Sequence, residues 1–309
     1  MRLGRGAWGL TTLLAVAVAT ASAVGAPAVT EIRTTDVDLF YRLYDAAHGA
    51  PSADTLQHDY IDAGSPGVRQ FVPQRILSGE ALAKKIAANP ALYQRARDCM
   101  ATLPTVKTRL RSAFRKLAAL DPAATFPPVI ILIGRGNSGG TTGKSGVLIG
   151  LETICSADWL QPDPADRLTH LIAHEYVHVQ QFPDGGEDAA PDTVLRQSLV
   201  EGGAEFIAEL TSGEASESYL QSWTQGHGKE IGEAFLKDQD STDLKPWLYN
   251  GHGTREHPGD LGYWIGYEIC RAYYRQAGDK RAAIHDILTL ADPKALLAKS
   301  GWTPGDHRS

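Results

Sequence analysis

Two histidines and a glutamate stand in a pattern that can bind and use a catalytic metal ion. His174, Glu175 and His178 form a His-Glu-x-x-His motif inside an apolar-periodic segment. Because residues four apart lie one above the other on a helix, both imidazoles can reach one metal ion. The glutamate between them is close enough to act on a metal-bound water. The spacing therefore predicts a hydrolytic metal site with His174 and His178 as ligands.

A third ligand is expected on a following element, because a catalytic zinc site takes three protein ligands and leaves a fourth position to water. Glu201 stands 23 positions after His178 and is followed by Gly-Gly-Ala. These small residues would let its helix approach the motif helix closely. Glu205 lies one turn further on, where it could accept a hydrogen bond from the other ring nitrogen of a ligand histidine. His170 extends the histidine spacing by one turn but is too far along the axis to join the same metal easily, so we expect a packing or surface role.

Mostly helices must position these residues. Asp163-Pro164 is typical of a helix start and predicts a helix that runs to Phe182. The periodicity predicts further helices over 194–210 and 260–274. A helical region is expected over 79–120, interrupted before Pro90 and near Pro104. Residues 29–47 have helical spacing, whereas 53–77 favours a loop or short helical turns.

Two apolar runs, 129–133 and 147–151, are rich in β-branched residues and predict buried strands. The simplest arrangement is a hairpin with the glycine-rich stretch 134–146 as its tip. This tip contains Gly143-Lys144-Ser145, but Ser138 stands where a phosphate-binding loop needs glycine, and a second β-rich run follows instead of a helix. Nucleotide binding is therefore not expected. The fold class predicted is α+β, mainly helical with a small mixed sheet.

The motif and the Glu-Gly-x-Ala segment that starts at Glu201 together resemble those of the gluzincin metallopeptidases, notably aminopeptidase N-like and collagenase-like members. The strand pair, the Gly-Tyr-Trp-Ile-Gly-Tyr segment at 262–267 and the export signal are similar to those of a bacterial family of predicted zinc-dependent proteases of unknown substrate. This resemblance covers about residues 85–290. It implies a zincin-like motif helix packed against the glutamate-bearing helix, Glu201 as third ligand and Glu205 behind the ligands.

The resemblance also implies the reaction, which is hydrolysis of a peptide bond by a zinc-bound water with Glu175 as general base. Gluzincins commonly add a tyrosine or histidine that stabilises the oxyanion. Tyr263 and Tyr267 lie one helical turn apart; we favour Tyr263, and His252 and His257 are rivals. Two alternatives stay open, namely a non-catalytic envelope protein that keeps the fold for binding a partner, and a zinc amidase acting on another amide.

The ends and the composition bear on location. Residues 1–23 have a basic start, an apolar stretch and an Ala21-Ser22-Ala23 end, which predicts a secretory signal peptide. We expect a helical region over 24–125, a catalytic region over 126–300 that could form one domain with it, and a loose tail over 301–309. No later segment is long and apolar enough to form a stable membrane span.

The formal charge of −6 makes nucleic acid an unsuitable partner. Peptides or proteins are the substrates that the resemblance implies. Cys99, Cys155 and Cys270 predict one disulfide and one free thiol for a periplasmic or extracellular protein, with the pairing open. The sequence also leaves the oligomeric state open.

Overall fold

The computed structural model describes residues 30–157, 162–183, 192–213, 220, 223–251, 253–254 and 258–306. The predicted signal peptide therefore lies outside the described residues. In the described part of the chain, no helix is long and apolar enough to cross a membrane.

A small mixed sheet lies in the N-terminal half. Its strands are β1 (Ile32–Arg33), β2 (Val129–Leu132), β3 (Gly140–Gly143) and β4 (Gly146–Gly150). The spatial order is β1-β2-β4-β3. β2 runs parallel to β1 and to β4, with Val129 opposite Val147, and β3 runs antiparallel to β4.

The predicted hairpin between the two apolar runs is wrong. Their strands, β2 and β4, are parallel neighbours, and the glycine-rich stretch supplies the edge strand β3, which turns back into β4 between Gly143 and Gly146. The apolar runs are buried along their whole length, as is typical of parallel strands covered on both faces. The periodicity of apolar residues could not reveal β3, because its sequence Gly-Thr-Thr-Gly contains no apolar side chain of the kind that marks a strand.

Helices surround this sheet and form the C-terminal half. They are α1 (Thr35–Ala46), α2 (Ala53–Thr55), α3 (Pro66–Phe71), α4 (Gly79–Ala88), α5 (Pro90–Cys99), α6 (Leu103–Leu120), α7 (Leu151–Ser156), α8 (Pro164–Gln181), α9 (Val194–Ser212), α10 (Gly228–Asp238), α11 (Leu261–Gln276), α12 (Lys280–Thr289) and α13 (Pro293–Ser300). Wider π-type turns cover Leu56–Asp62 and Val72–Ile76. The prediction of α+β, mainly helical with a small mixed sheet, is confirmed.

The helix boundaries follow from local chemistry. The Asp163 carboxylate accepts hydrogen bonds from the amides of Ala165 and Asp166, and Pro164 occupies the first turn of α8. The Asn89 side chain likewise caps α5, and Pro104 stands at the start of α6. The interruptions expected before Pro90 and near Pro104 are therefore confirmed.

Two hydrophobic clusters share α8 between them. The first surrounds the sheet and includes Tyr176, whereas the second includes Val177 and joins α9 to α11, α12 and α13. Trp302, beyond α13, is buried in the second cluster. Because adjacent residues of α8 contribute to different clusters, this helix lies where the two packed regions meet. Two faces of α8 thus pack into the two clusters, and the motif histidines lie on its remaining face.

One disulfide joins α5 to α7, between Cys99 and Cys155. Cys270 is a free thiol buried in α11. The predicted count of one disulfide and one free thiol is confirmed, and the pairing that the sequence left open is settled.

Candidate metal centre

The two motif histidines lie on adjacent turns of α8 and face each other. The Nε2 atoms of His174 and His178 are 2.9 Å apart, and their rings meet edge to face. His174 is only 6% exposed. Two ring nitrogens so close, in a buried site, need either a shared proton or a cation between them.

Glu201 brings a carboxylate from α9 to the same point. Its Oε2 lies 3.4 Å from Nε2 of His174 and 3.2 Å from Nε2 of His178. Ligands bound at 2.0–2.1 Å around a tetrahedral zinc ion are separated by about 3.3 Å. The two distances to the carboxylate match this spacing, and the 2.9 Å between the two imidazole nitrogens is slightly shorter. The residue set of two imidazoles and one carboxylate suits Zn²⁺.

Glu205 lies behind this group and contacts two histidines. One carboxylate oxygen is 2.8 Å from Nδ1 of His174, and the other is 2.8 Å from Nε2 of His170. A carboxylate at this position keeps the proton on Nδ1 of His174 and leaves Nε2 as a lone-pair donor. The carboxylate thus orients one ligand.

His170 and Gln181 complete the support of the two imidazoles. His170 is buried, in agreement with the packing role considered above, but its contact with Glu205 was missed. A signal existed, because histidines spaced by four on α8 face glutamates spaced by four on α9. Gln181 was missed as well; its Oε1 is 2.7 Å from Nδ1 of His178, and its Nε2 donates to the Val200 carbonyl. Both imidazoles therefore contact a supporting side chain through Nδ1 and direct Nε2 at each other and at Glu201.

His170, His174 and Glu205 form a second group whose ligand atoms lie close enough for a metal ion. In that group each carboxylate oxygen is already in contact with one imidazole. The first group, by contrast, directs two ring nitrogens and one carboxylate oxygen at a common point. We therefore assign His174, His178 and Glu201 as the candidate ligands.

The charges in the metal-free protein are strongly coupled. Burial disfavours a charged His174, but the Glu205 and Glu201 carboxylates outweigh it and raise its pKa well above the usual value. For His178 burial is likewise outweighed by Glu201, and the pKa is raised. Burial acts against both carboxylates, yet the histidines hold the pKa of Glu201 and that of Glu205 well below the usual range. In the metal-free protein the charges of the histidines and glutamates therefore stabilise each other.

Glu175 faces the sheet side of the site. A Cβ added to Gly140 of β3 would lie 2.5 Å from its carboxylate oxygen, so a side chain there would displace the Glu175 carboxyl. Burial raises the pKa of Glu175, while the charges of His178 and His174 oppose the rise. A carboxyl with a raised pKa next to an edge strand has the properties of a general base.

Of the two candidate tyrosines, Tyr263 is the one beside the ligands. Its ring is stacked at 6.5 Å from that of His174, and burial raises the pKa of its hydroxyl well above the usual value. Tyr267 instead packs on Phe206 and lies under the guanidinium of Arg271. The other two candidates, His252 and His257, lie outside the described residues.

A tyrosine that the sequence reasoning missed contacts a candidate ligand. The Tyr249 hydroxyl donates a hydrogen bond to Oε1 of Glu201 at 2.8 Å, which leaves Oε2 to face the histidines. Its ring is 58% exposed and meets Tyr263 edge to face. Tyr249 lies in an irregular segment with a positive φ of 58°, and no sequence pattern pointed to it.

The glycines next to Glu201 serve a different contact from the one expected. A Cβ on Gly202 would lie 2.1 Å from the backbone nitrogen of Tyr267, and one on Gly266 would lie 1.7 Å from the Ser198 carbonyl oxygen. Gly202 and Gly266 thus bring α9 against α11, and α9 also packs along the motif helix α8. This close approach holds Glu201 and Tyr263 beside each other.

The fold and the site together define an α+β protein with a His-Glu-x-x-His helix and a glutamate helix around a zinc-type ligand set. Residues 139–294 match the model of a family described as "Predicted Zn-dependent protease (DUF2268)". This is half of the chain, and the chain belongs to that family. No curated protein and no solved structure that was compared matches the chain. The family match includes every candidate ligand and begins at the edge strand.

Proposed function

We propose that this protein is a gluzincin-type zinc metallopeptidase that hydrolyses peptide bonds. The observation that carries the proposal is the convergence of His174 Nε2, His178 Nε2 and Glu201 Oε2 at zinc-ligand spacing, with Glu175 beside them. The family description supports the same activity. A binding protein would have no need of a partly buried carboxyl at that position.

Each residue of the site has its own role in the proposed reaction. A zinc ion bound there supplies Lewis-acid polarisation and lowers the pKa of a water ligand. Glu175 takes a proton from the attacking water and returns it to the leaving amine. The Tyr263 hydroxyl, kept protonated by burial, donates a hydrogen bond to the developing oxyanion. Glu205 and Gln181 hold the imidazoles in the tautomer that the reaction needs.

We also propose that the protein acts after export, in the periplasm or outside the cell. The support comes from the signal-type N-terminus in the sequence and from the Cys99–Cys155 disulfide, which suits an oxidising compartment. Peptides or proteins that reach this compartment would be the substrates.

The test measures metal and hydrolysis separately. Purified protein should carry about one zinc per chain, as expected of a site with three protein ligands. His178→Ala and Glu201→Ala should lose the zinc, whereas His285→Ala, at an exposed helix position, should keep it. Glu175→Gln should keep the zinc and lose hydrolysis of a peptide library.

The alternatives correspond to other results. Metal-free wild type would overturn the proposal. Zinc-loaded protein that cleaves no peptide would favour the non-catalytic binding function, and cleavage confined to a cell-wall crosslink amide would favour the amidase.

A further inference from the structure

A strained segment from outside the family match packs next to the candidate active site. In the kinked turn Val72–Ile76, Gln74 has a φ of 68°, and the following Leu77 has a φ of 70°. Non-glycine residues rarely adopt such angles, and they persist where the surroundings fix them. Here Arg135 Nε donates to the Arg75 carbonyl at 2.7 Å, and Asn137 Nδ2 donates to the Gln74 carbonyl at 3.2 Å. The loop that leads into β3 therefore fixes this segment.

The segment presents the guanidinium of Arg75. Its Nε donates to Ser138 Oγ at 3.0 Å, and its central carbon lies 5.3 Å from the centroid of the buried Phe71 ring. Among the residues that the structure describes, its two terminal nitrogens have no hydrogen-bond partner. The side chain is thus held from one side and keeps four N–H donors for something else.

A short series of contacts connects Arg75 to the general base. Ser138 Oγ, which accepts from Arg75, donates to the carbonyl of Gly140 at 3.2 Å, and Gly140 lies against the Glu175 carboxyl. The guanidinium is near enough to Glu175 to act against the rise of its pKa. A fixed cation with open donors therefore lies on the sheet side of the site, next to the candidate general base.

We propose that Arg75 binds a carboxylate of the substrate, which makes this protein selective for peptides with a negative charge near the scissile bond. The proposal rests on the proposed peptidase function and adds a substrate class to it. A guanidinium is planar, stays charged and matches a carboxylate with two parallel hydrogen bonds. In a peptide this group is either the side chain of Asp or Glu, or the C-terminal carboxylate.

The experiment uses the full chain, loaded with zinc, and a pooled peptide library in two forms, with a free or an amidated C-terminus. Cleavage sites are read by mass spectrometry, and kcat/KM is then measured for matched pairs of peptides that differ by Glu and Gln, or by acid and amide. Wild type should prefer the carboxylate member of one pair about tenfold, as charge-assisted hydrogen bonds allow. Preference in the Glu/Gln pair identifies a side chain, and preference in the acid/amide pair identifies the C-terminus.

Arg75→Gln should remove this preference by raising KM for the carboxylate peptide about tenfold more than KM for its neutral partner. Arg75→Lys should keep part of it, and Arg95→Gln, at an exposed helix position, should keep all of it. Equal cleavage of both members by wild type would overturn the proposal. An equal loss for both members in Arg75→Gln would also overturn it, since Arg75 would then only hold Ser138 or act on Glu175.

A binding measurement separates this proposal from the peptidase function. Zinc-loaded Glu175→Gln is titrated with the same peptide pairs by calorimetry, with and without Arg75→Gln. Tighter binding of the carboxylate member that depends on Arg75 supports the proposal even where wild type cleaves nothing and the peptidase function fails. Equal binding of both members overturns it even where wild type is an active peptidase.

Discussion

The contact between α9 and α11 gives a prediction whose size can be worked from the structure. Replacing Gly202 by Ala would put a Cβ 2.1 Å from the Tyr267 nitrogen and 2.3 Å from the Gly266 carbonyl carbon, where ordinary contact begins at 3.4 Å. Because both neighbours are backbone, no side chain can rotate away. We expect α9 to move by ~1.3 Å, which is the difference between the ordinary and the available distance.

Two terms set the cost to stability. Overpacking of a tight interior costs about 1–3 kcal/mol, and a backbone-to-backbone clash belongs at the upper end of that range. Alanine recovers about 1 kcal/mol relative to glycine within a helix. The free energy of unfolding of the metal-free Gly202→Ala variant should therefore fall by about 2 kcal/mol, measured by urea unfolding.

Zinc binding should suffer from the same movement, because Glu201 precedes Gly202 directly and zinc sites tolerate errors of about 0.2 Å in ligand position. We expect at least a tenfold weaker zinc affinity, of the order found when groups that support zinc ligands are lost. The assay is competition with a chromophoric chelator. Gly278→Ala is the matched control, since no described atom lies within 4 Å of the added Cβ. Wild-type stability and affinity in Gly202→Ala would refute the claim that this close approach positions the ligand.

Three further predictions concern the hydrogen bonds, protons and disulfide around the site. Tyr249→Phe removes the hydrogen bond to Oε1 of Glu201 and should weaken zinc binding about tenfold. Tyr263→Phe should instead lower turnover and leave zinc content unchanged. The opposite pattern would exchange the roles of the two tyrosines. Because the carboxylates raise the pKa of both motif histidines in the metal-free protein, zinc binding should displace the proton shared between their facing Nε2 atoms. Calorimetry in buffers of different ionisation heats should show this release fall as the pH rises above the raised pKa values, and zinc binding without proton release would contradict it. The disulfide between Cys99 and Cys155 closes a loop with a sequence separation of 56. Replacing both cysteines by Ala should therefore lower the free energy of unfolding by about 4 kcal/mol, measured by thermal or urea unfolding. Unchanged stability would show that the bond does not constrain the unfolded chain.

Local chemistry made much of the fold predictable. The start of α8 follows from Asp163 and Pro164, and the breaks around α5 and α6 follow from Pro90 and Pro104, because capping and the missing proline N–H act within a few residues. The strands β2 and β4 were visible as apolar β-branched runs. Their parallel pairing was not, because it depends on the low-signal strand β3 that lies between them in the chain.

Some residues of the candidate site were likewise predictable from local sequence, and others were not. His174, His178, Glu201 and Glu205 sit at helical spacings that a single sequence displays. Tyr249 and Arg75, in contrast, come from irregular segments with positive φ angles nearby, and only tertiary packing brings them to the site. Their placement depends on contacts with residues far away in sequence, and a sequence motif does not indicate such contacts.

The position of bound zinc tests the proposed metal centre most directly. Diffraction from crystals of the zinc-loaded protein, recorded at the zinc absorption edge, should give one anomalous peak in contact with His174 Nε2, His178 Nε2 and Glu201 Oε2, at about 2.0–2.2 Å from each. Absence of a peak, or a peak between His170 and Glu205 instead, would contradict the proposed metal centre.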